Sequence, residues 1–196
     1  MYIKRQVEEE IKKNLFKDKV VIVYGARQVG KTTLVRKIAN DLGKPYKYLN
    51  CDEMDVLGRF QEAKNSLALK QIVGDNGLVI IDEAQRVKNI GLKLKLLVDN
   101  YPNIQLLVTG SSSFDLSNEV NEPLTGRSDE YWLFPLSVKE LWKGSDKIDR
   151  DRQLDNWLVY GSYPDVWTVE DIEEKEKKVK LLAGNYLYKE DRKSVV

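Results

Sequence analysis

Five short apolar runs predict the strands of a β-sheet. Most of them are continuous rather than alternating, and they stop at a glycine or a polar cluster. Such runs are typical of parallel strands that are buried on both faces. We predict strands over Lys19–Tyr24, Tyr46–Leu49, Leu78–Glu83, Ile104–Thr109 and Glu130–Phe134.

Apolar residues at helical spacing fill the segments between these runs. The first such segment places one apolar residue on every fourth position, at Ile3, Val7, Ile11 and Leu15. We predict helices over Tyr2–Phe16, from the residues after Gly30 to Leu42, over Val56–Val73, Ile90–Tyr101, Ser137–Trp142 and Leu154–Tyr160, and in a charge-dense last segment that begins at Glu170. The alternation predicts a three-layer α/β fold with a mainly parallel five-stranded sheet.

The loop after the first predicted strand carries a phosphate-binding pattern. Residues 25–33 read Gly-Ala-Arg-Gln-Val-Gly-Lys-Thr-Thr and fit Gly-x4-Gly-Lys-[Ser/Thr]. Glycines let the backbone N–H groups turn toward phosphates, and the following helix adds its positive N-terminus. We predict that ATP is bound by Gly25, Ala26, Arg27, Gln28, Val29, Gly30, Lys31, Thr32 and Thr33. Lys31 would reach the β- and γ-phosphates, and the Thr32 hydroxyl would hold Mg2+. The alternative is a chance match in a glycine turn.

Two adjacent carboxylates end the third predicted strand. We predict that Asp82 holds Mg2+ through water and that Glu83 polarises the water that attacks the γ-phosphate. The chain contains no histidine, so a general base has to be a carboxylate or another group. The alternative is a strand that ends at an acidic helix cap.

Further polar residues follow the other strands. If the fourth strand lies between the first and the third, Thr109 or Ser111 would sense the γ-phosphate; otherwise the serines cap the next helix. Asn50 could orient the catalytic carboxylate, although a cap or turn role is favoured. Arg127 could supply positive charge to the transition state, or be a solvated arginine. In the leading helix, Arg5 or Tyr2 could touch adenine, although packing or exposure is favoured.

Composition adds limits to this interpretation. The 196 residues carry a net charge of +1, which gives no overall sign of nucleic-acid binding. No apolar run approaches the length of a membrane span, and the N-terminus is not a signal peptide, so we expect no membrane association. The single cysteine, Cys51, fits a reducing compartment, and we expect a cytoplasmic protein in which this residue packs at a strand end.

The two motifs, their order and the strand spacing favour an additional-strand P-loop ATPase. The full set resembles a group of prokaryotic AAA-like ATPases. The resembling segments are residues 25–34, Ile81-Asp82-Glu83-Ala84-Gln85, Thr109-Gly110-Ser111-Ser112, Leu124-Thr125-Gly126-Arg127, Pro135-Leu136-Ser137 with Glu140-Leu141, and Gly161-Ser162-Tyr163-Pro164. One departure is Ala26, where proline is common in the family.

The resemblance implies ATP and Mg2+ as cofactors, ATP hydrolysis, and an arginine of the family pattern at Arg127. It also implies a nuclease-like C-terminal domain that this sequence lacks. We therefore expect an ATPase domain with a small helical part over residues 1–168. A helical linker over residues 169–196, with Leu181–Lys193 leading onward, would follow it. A protein or DNA partner would act through the missing domain. Because Arg127 lies in a Gly-containing loop after the sensor strand, it could project outward and act on the site of a neighbouring subunit in a homo-oligomer; the alternatives are a contact in the same chain or a surface arginine without catalytic use.

A nucleotide-dependent binding switch with little turnover is the alternative to an ATPase. Glu83 favours the enzyme, because a pure switch needs no polarising carboxylate. A P-loop kinase is disfavoured by the Asp82-Glu83 pair, and a GTPase by the lack of an Asn-Lys-x-Asp motif.

Overall fold

All five predicted strands form, and they pair in parallel. The computed structural model describes residues 2–111, 120, 123–142 and 146–184, except for the side chain of Arg152. The strands are β1 Val20–Gly25, β2 Tyr46–Asn50, β3 Leu78–Asp82, β4 Gln105–Ser111 and β5 Ser128–Trp132. They lie in the order β2-β3-β4-β1-β5. The α/β class and the parallel sheet are thus confirmed, and β4 lies between β3 and β1.

The helices described within residues 5–134 cover both faces of this sheet. The α-helices among them are α1 Glu8–Asn14, α2 Lys31–Asp41, α3 Met54–Glu62, α4 Ser66–Val73 and α5 Ile90–Asn100. On one face α2 packs against β1, β3 and β4, and α1 packs against α2. On the other face, residues of α3, α4 and α5 join strand residues in one buried cluster that includes Phe60, Leu94 and Ile81. Every residue of β1 and β3 is buried, which explains their continuous apolar character.

Some predicted boundaries differ from the observed ones for local reasons. The helix predicted over Tyr2–Phe16 is shorter, Glu8–Asn14. The one predicted over Val56–Val73 is divided, because Ala63 is extended and Asn65 caps α4 by accepting the Ala68 N–H at 2.9 Å. β5 begins before the predicted Glu130, because its pairing with β1 starts at Ser128, opposite Val20.

The chain divides into two compact units. Residues 5–134 form one of them, and residues 2–4 with the part of the chain from Pro135 onward form the other. This boundary precedes residue 168, where the sequence suggests the end of an ATPase domain, and the division into 1–168 and 169–196 stays a prediction. Much of the segment predicted as a linker, residues 185–196, lies outside the described residues.

The second unit is helical in its described part. Its helices are α6 Val138–Leu141, α7 Lys147–Tyr160, α8 Pro164–Trp167 and α9 Ile172–Leu182. The predicted capping box at the start of α6 is confirmed, since Ser137 and Glu140 each accept the other's backbone N–H. An ion pair of 2.9 Å between Lys178 and Asp165 joins α9 to α8. Among the described residues, no helix is long and apolar enough to cross a membrane.

Candidate nucleotide-binding site

The candidate site lies where β1, β3 and β4 end. Parallel pairing places Gly25 beside Ser111 and Val23 beside Thr109, while Ile81 lies beside Val108 on the other side of β4. The loop of residues 25–30, the carboxylates after Ile81 and the Thr109 hydroxyl therefore meet at one edge of the sheet. Open α/β sheets bind their ligands at this edge.

The loop of residues 25–30 has the backbone that its sequence predicts. Gly30 takes a left-handed conformation, with φ of 96°, immediately before α2, and Gln28 is also left-handed, with φ of 63°. No side chain caps the N-terminus of α2, so its first N–H groups are left to a ligand or to water. A Cβ on Gly25 would lie 2.3 Å from the backbone oxygen of Leu133, so only glycine fits there.

The residues predicted to bind ATP, in this loop and at the start of α2, differ in their exposure. Arg27, Gln28 and Thr33 are exposed, Ala26, Gly30 and Thr32 are half-buried, and Gly25 and Val29 are buried. The contribution predicted for the buried Val29 therefore rests on its backbone, whereas the exposed side chains of Arg27, Gln28 and Thr33 are accessible to a ligand.

Lys31 is almost fully buried, with 4% of its surface exposed. Its Nζ donates to the backbone oxygens of Gly25, at 2.9 Å, and Ala26, at 3.0 Å. Burial lowers the pKa of Lys31, and the nearby charges of Glu83 and Asp82 oppose that effect. The ammonium group thus lies across the loop that would cradle a triphosphate.

Asp82 accepts hydrogen bonds from three hydroxyl groups. Its Oδ2 accepts from Thr32 Oγ1 at 2.7 Å and from the Tyr48 hydroxyl at 2.6 Å, and its Oδ1 accepts from Thr109 Oγ1. The carboxylate is 2% exposed. Burial, and next the hydrogen bond to Asp82, raise the pKa of Tyr48, so that its hydroxyl stays a donor.

Thr32 and Asp82 fit a magnesium ion by their chemistry. Mg2+ takes oxygen ligands and commonly uses only one or two protein groups, with water and phosphate oxygens completing its shell. The hydroxyl and carboxylate oxygens here are adjacent, at 2.7 Å. No group of three or more acidic, cysteine or histidine side chains arranged to hold a metal occurs in the described part of the chain. These residues therefore suit a Mg2+ ion whose remaining ligands are water and phosphate oxygens.

Glu83 is held in an unusual backbone conformation. It has φ of 53° and ψ of 41°, which is left-handed and rare for a residue with a Cβ. Its N–H donates to Thr109 Oγ1 at 3.2 Å, and its carboxylate Oε2 accepts from Gln85 Nε2 at 2.6 Å. The Gln85 oxygen in turn accepts the Ser111 N–H at 3.2 Å. The carboxylate of Glu83 is thereby tied to the end of β4.

β4 lies between β1 and β3, which was the condition for Thr109 or Ser111 to sense the γ-phosphate. This residue is fully buried, and its hydroxyl donates to Asp82 while accepting from the Glu83 N–H. Ser111 contributes its backbone N–H to Gln85. Ser112, which belongs to the same motif, lies outside the described residues.

The structure does not bring Arg127 to this edge. Its backbone oxygen accepts the N–H of Val20, where β1 begins, whereas the loop starts at the other end of β1. At roughly 3.3 Å per residue the two ends are about 17 Å apart. The Arg127 guanidinium is instead paired with Asp99, at 2.6 Å. A contact with phosphates bound to the same chain is out of its reach, and a role in a neighbouring subunit stays a prediction.

Three residues contact the site through bonds that the sequence did not predict. Tyr48 lies on β2, and only knowledge of the strand pairing places its hydroxyl at Asp82. Gln85 belongs to the Asp-Glu-Ala-Gln segment, which indicated the class of protein but not the role of this residue. Arg5 is buried, and it donates to the backbone oxygens of Val29, at 2.7 Å, and Phe134, at 2.5 Å.

The residues after β2 have structural roles. Asn50 accepts the Asp52 N–H at 3.1 Å, which confirms the favoured turn role and leaves the orientation of Glu83 to Gln85. Cys51 is fully buried, and burial raises the pKa of its thiol to about 12, in keeping with the packing role that was expected.

A parallel sheet in this strand order, with a glycine-rich loop after β1 and a carboxylate pair at the end of β3, defines the P-loop ATPase fold. The chain belongs to the AAA_14 family of AAA domains, whose pattern matches residues 17–142. The resemblance to AAA-like ATPases is thereby confirmed.

Individual relatives and one solved structure agree with that assignment. The chain is 25% identical to the uncharacterized protein MJ1544 of Methanocaldococcus jannaschii, covering 94% of this chain and 44% of that protein. It is 34% identical to the uncharacterized protein Rv2008c of Mycobacterium tuberculosis, covering 75% and 32%. The Walker-type ATPase PABY2304 of Pyrococcus abyssi shares its fold, with a TM-score of 0.61 and 17% identity, covering 98% and 75%. The chain spans less than half the length of the two uncharacterized relatives.

Proposed function

We propose that this domain binds ATP with Mg2+ and hydrolyses it, and that the cycle drives a conformational change in a longer protein. The observation that carries the proposal is the convergence of Lys31, Thr32, Asp82, Glu83 and Thr109 at the carboxyl edge of the sheet. Lys31 and Thr32 lie on α2, Asp82 and Thr109 lie on β3 and β4, and Glu83 directly follows β3. Each has the chemistry that phosphoryl transfer uses.

Binding would begin with the loop and Lys31. The ammonium group exchanges the Gly25 and Ala26 oxygens for the β- and γ-phosphate oxygens, while loop N–H groups and the start of α2 hold the same phosphates. Thr32 and Asp82 would hold Mg2+, which neutralises charge on the phosphate oxygens when it is bound. Thr109 keeps Asp82 and the backbone of Glu83 together.

Hydrolysis would use Glu83 as the general base. A water oxygen attacks the γ-phosphorus, and the bond from that phosphorus to the β–γ bridging oxygen breaks. The Glu83 carboxylate accepts the proton that the water loses. Its left-handed backbone and its bond to Gln85 fix the direction in which the carboxylate points.

A nucleotide-dependent switch with little turnover is the second candidate. It is favoured by one observation, the hydrogen bond of 2.6 Å from Gln85 to Glu83 Oε2. A carboxylate oxygen engaged in this way is less available to a water. In a switch neither carboxylate oxygen would accept from a water with ATP bound, whereas in an ATPase Oε2 would keep its bond to Gln85 and Oε1 would face the attacking water.

Partners belong to the same proposal. The chain spans 44% and 32% of the two relatives described above, and we propose that the regions absent from this sequence contact the protein or DNA on which the cycle acts. Assembly of the domain into a homo-oligomer is part of this proposal.

The test compares binding and turnover in the same preparations. The wild-type chain should bind MgATP in calorimetry and release phosphate, and Glu83→Gln should keep binding and lose release by about 100-fold or more. Glu62→Gln changes an exposed carboxylate on α3 and serves as the control. Absence of ATP binding by the wild type would refute the proposal, and binding with equal, very low turnover in both proteins would establish the switch.

A further inference from the structure

Tyr48 contacts the carboxylate of the candidate magnesium site from the neighbouring strand. It lies beside Ile80 in the β2–β3 pairing, two positions before Asn50, which lies beside Asp82. Because side chains alternate along a strand, Tyr48 and Asp82 are on the same face of the sheet. The Tyr48 hydroxyl donates to Asp82 Oδ2 at 2.6 Å.

The ring of Tyr48 is also held from α2. The Arg36 guanidinium carbon lies 3.9 Å from the ring centroid, in the geometry of a cation–π contact. Arg36 follows Thr32 by one helical turn, so both project from the same side of α2. The same helix therefore provides the Thr32 hydroxyl and the side chain that stacks on the ring.

Two hydroxyl groups converge on a single oxygen of Asp82. Oδ2 has two lone pairs, and Thr32 and Tyr48 each donate to it, while Thr109 donates to Oδ1. Without Tyr48 the carboxylate would retain one donor on each oxygen and could rotate about its last bond. With Tyr48 in place, Oδ2 stays directed at Thr32.

We propose that Tyr48 is a positioning residue for the magnesium site, fixing Asp82 so that Mg2+ meets the Thr32 hydroxyl and the carboxylate in one geometry. This inference rests on the proposed function. Groups that orient a metal ligand typically account for 10- to 100-fold in metal affinity. Tyr48 would therefore set the Mg2+ concentration at which ATP binds tightly, without touching the nucleotide.

The experiment measures ATP affinity as a function of Mg2+ in the whole chain. Tyr48→Phe removes one oxygen atom, and the expected result is a rise of about tenfold in the Mg2+ concentration at half effect, with unchanged ATP affinity in EDTA. Tyr46→Phe is the matched control, because Tyr46 lies on the same strand and its hydroxyl binds the exposed Asn40. This variant should behave as wild type.

Arg36→Ala provides a second, independent variant. It keeps the hydroxyl and removes the cation stacked on the ring, so the Mg2+ midpoint should rise by about two- to fivefold. Melting curves establish that each protein is folded. If Tyr48→Phe does not fold, an unmoved midpoint in Arg36→Ala overturns the proposal.

The outcomes separate this inference from the proposed function. A wild-type chain that binds no ATP at any Mg2+ concentration refutes both. A Tyr48→Phe variant with the wild-type midpoint, or with a lower one, overturns the role of Tyr48 alone. Equal losses with Mg2+ and with EDTA would show that the hydroxyl supports the loop in general rather than the metal site, and would also overturn it.

Discussion

Gln85 donates a hydrogen bond from its side-chain amide to the Glu83 carboxylate, with 2.6 Å between Nε2 and Oε2. The other atom of the amide, its oxygen, is used by the Ser111 N–H. The orientation of the amide is thus set by β4, and the direction of the Glu83 carboxylate is set by the amide. Gln85 therefore links the proposed base to the strand that also carries Thr109.

Replacement of Gln85 by leucine should lower turnover more than binding. A hydrogen bond to a charged group is worth about 1.5–3 kcal/mol, and its loss frees the carboxylate to leave its position. We expect phosphate release to fall about tenfold and MgATP affinity to change less than about twofold. Gln71→Leu, an exposed position on α4, is the control. Faster release in Gln85→Leu would show instead that the amide restrains the enzyme.

Replacement of Lys31 by methionine should remove ATP binding without unfolding the chain. The ammonium group would make charge-assisted bonds of about 1.5–3 kcal/mol each, so ATP affinity should fall at least about tenfold in calorimetry. Burial lowers the pKa of Lys31, so the native state bears the cost of a buried charge at neutral pH, and the melting temperature should stay equal or rise. Lys64→Met, at an exposed position, should change neither quantity. Unchanged ATP affinity would contradict the loop assignment.

Replacement of Arg127 by alanine should leave the turnover of an isolated subunit unchanged. The guanidinium is half-exposed, pairs with Asp99, and lies at the edge of the sheet remote from the loop. Loss of an exposed ion pair costs less than about 1 kcal/mol, so melting should change little.

Mixing tests the role in a neighbouring subunit. Glu83→Gln subunits keep Arg127 but lose the base, and Arg127→Ala subunits keep the base. If assembled Arg127→Ala is inactive and the mixture regains phosphate release, with assembly verified by light scattering, the arginine acts between subunits. Wild-type turnover by Arg127→Ala that is assembled with itself would rule that role out.

Asp41 should make the stability of the chain dependent on acid pH. It accepts hydrogen bonds from Lys12 of α1, at 2.8 Å, and from Lys37 of α2, and these bonds lower its pKa from 3.8 to about 2. Because the folded value is the lower one, the stabilisation is complete above the unfolded value and is lost as the pH falls toward 2.

Urea unfolding of wild type and Asp41→Asn measures this effect. The difference in their free energies of unfolding should be constant above about pH 5, shrink between pH 4 and 2, and decrease when salt is added at neutral pH. Asp75→Asn is the comparison variant. Asp75, in the turn that follows α4, pairs with Lys70 of that helix, so this ion pair does not join two helices. A difference that stays constant down to pH 2 would contradict the assignment.

The elements that sequence predicted best are those whose environment is uniform. β1, β3 and β4 are buried on both faces, so burial alone accounts for their composition, and the loop of residues 25–30 has a backbone that few residues other than glycine allow. Both patterns depend on local chemistry. The pattern therefore singled out Lys31, Thr32, Asp82 and Glu83 as candidates before any pairing was known.

The residues that sequence could not place depend on which strands are neighbours. Tyr48 meets Asp82 only because β2 pairs with β3 in one register, since a shift by one position would turn its ring to the opposite face. Arg5 reaches Val29 across 24 positions of the chain. Arg127 was proposed to act on the transition state because it follows the fourth strand. Arg127 directly precedes β5, and because β5 is parallel to β1, it lies at the end of the sheet opposite to the loop of residues 25–30.

The insertion of β4 between β3 and β1 has a consequence for the order of folding. Hydrogen bonds of β1 run to β4 and β5, so the strand that carries the loop has no partner among the residues that precede Gln105. A nascent chain that has left the ribosome as far as Gln85 already contains every residue of both nucleotide motifs, yet it lacks β4, the strand that pairs with both β1 and β3. Contacts between such distant segments form slowly, because loop closure costs entropy before pairing repays it. The candidate site is thus completed late in folding, once β4 has inserted between β3 and β1.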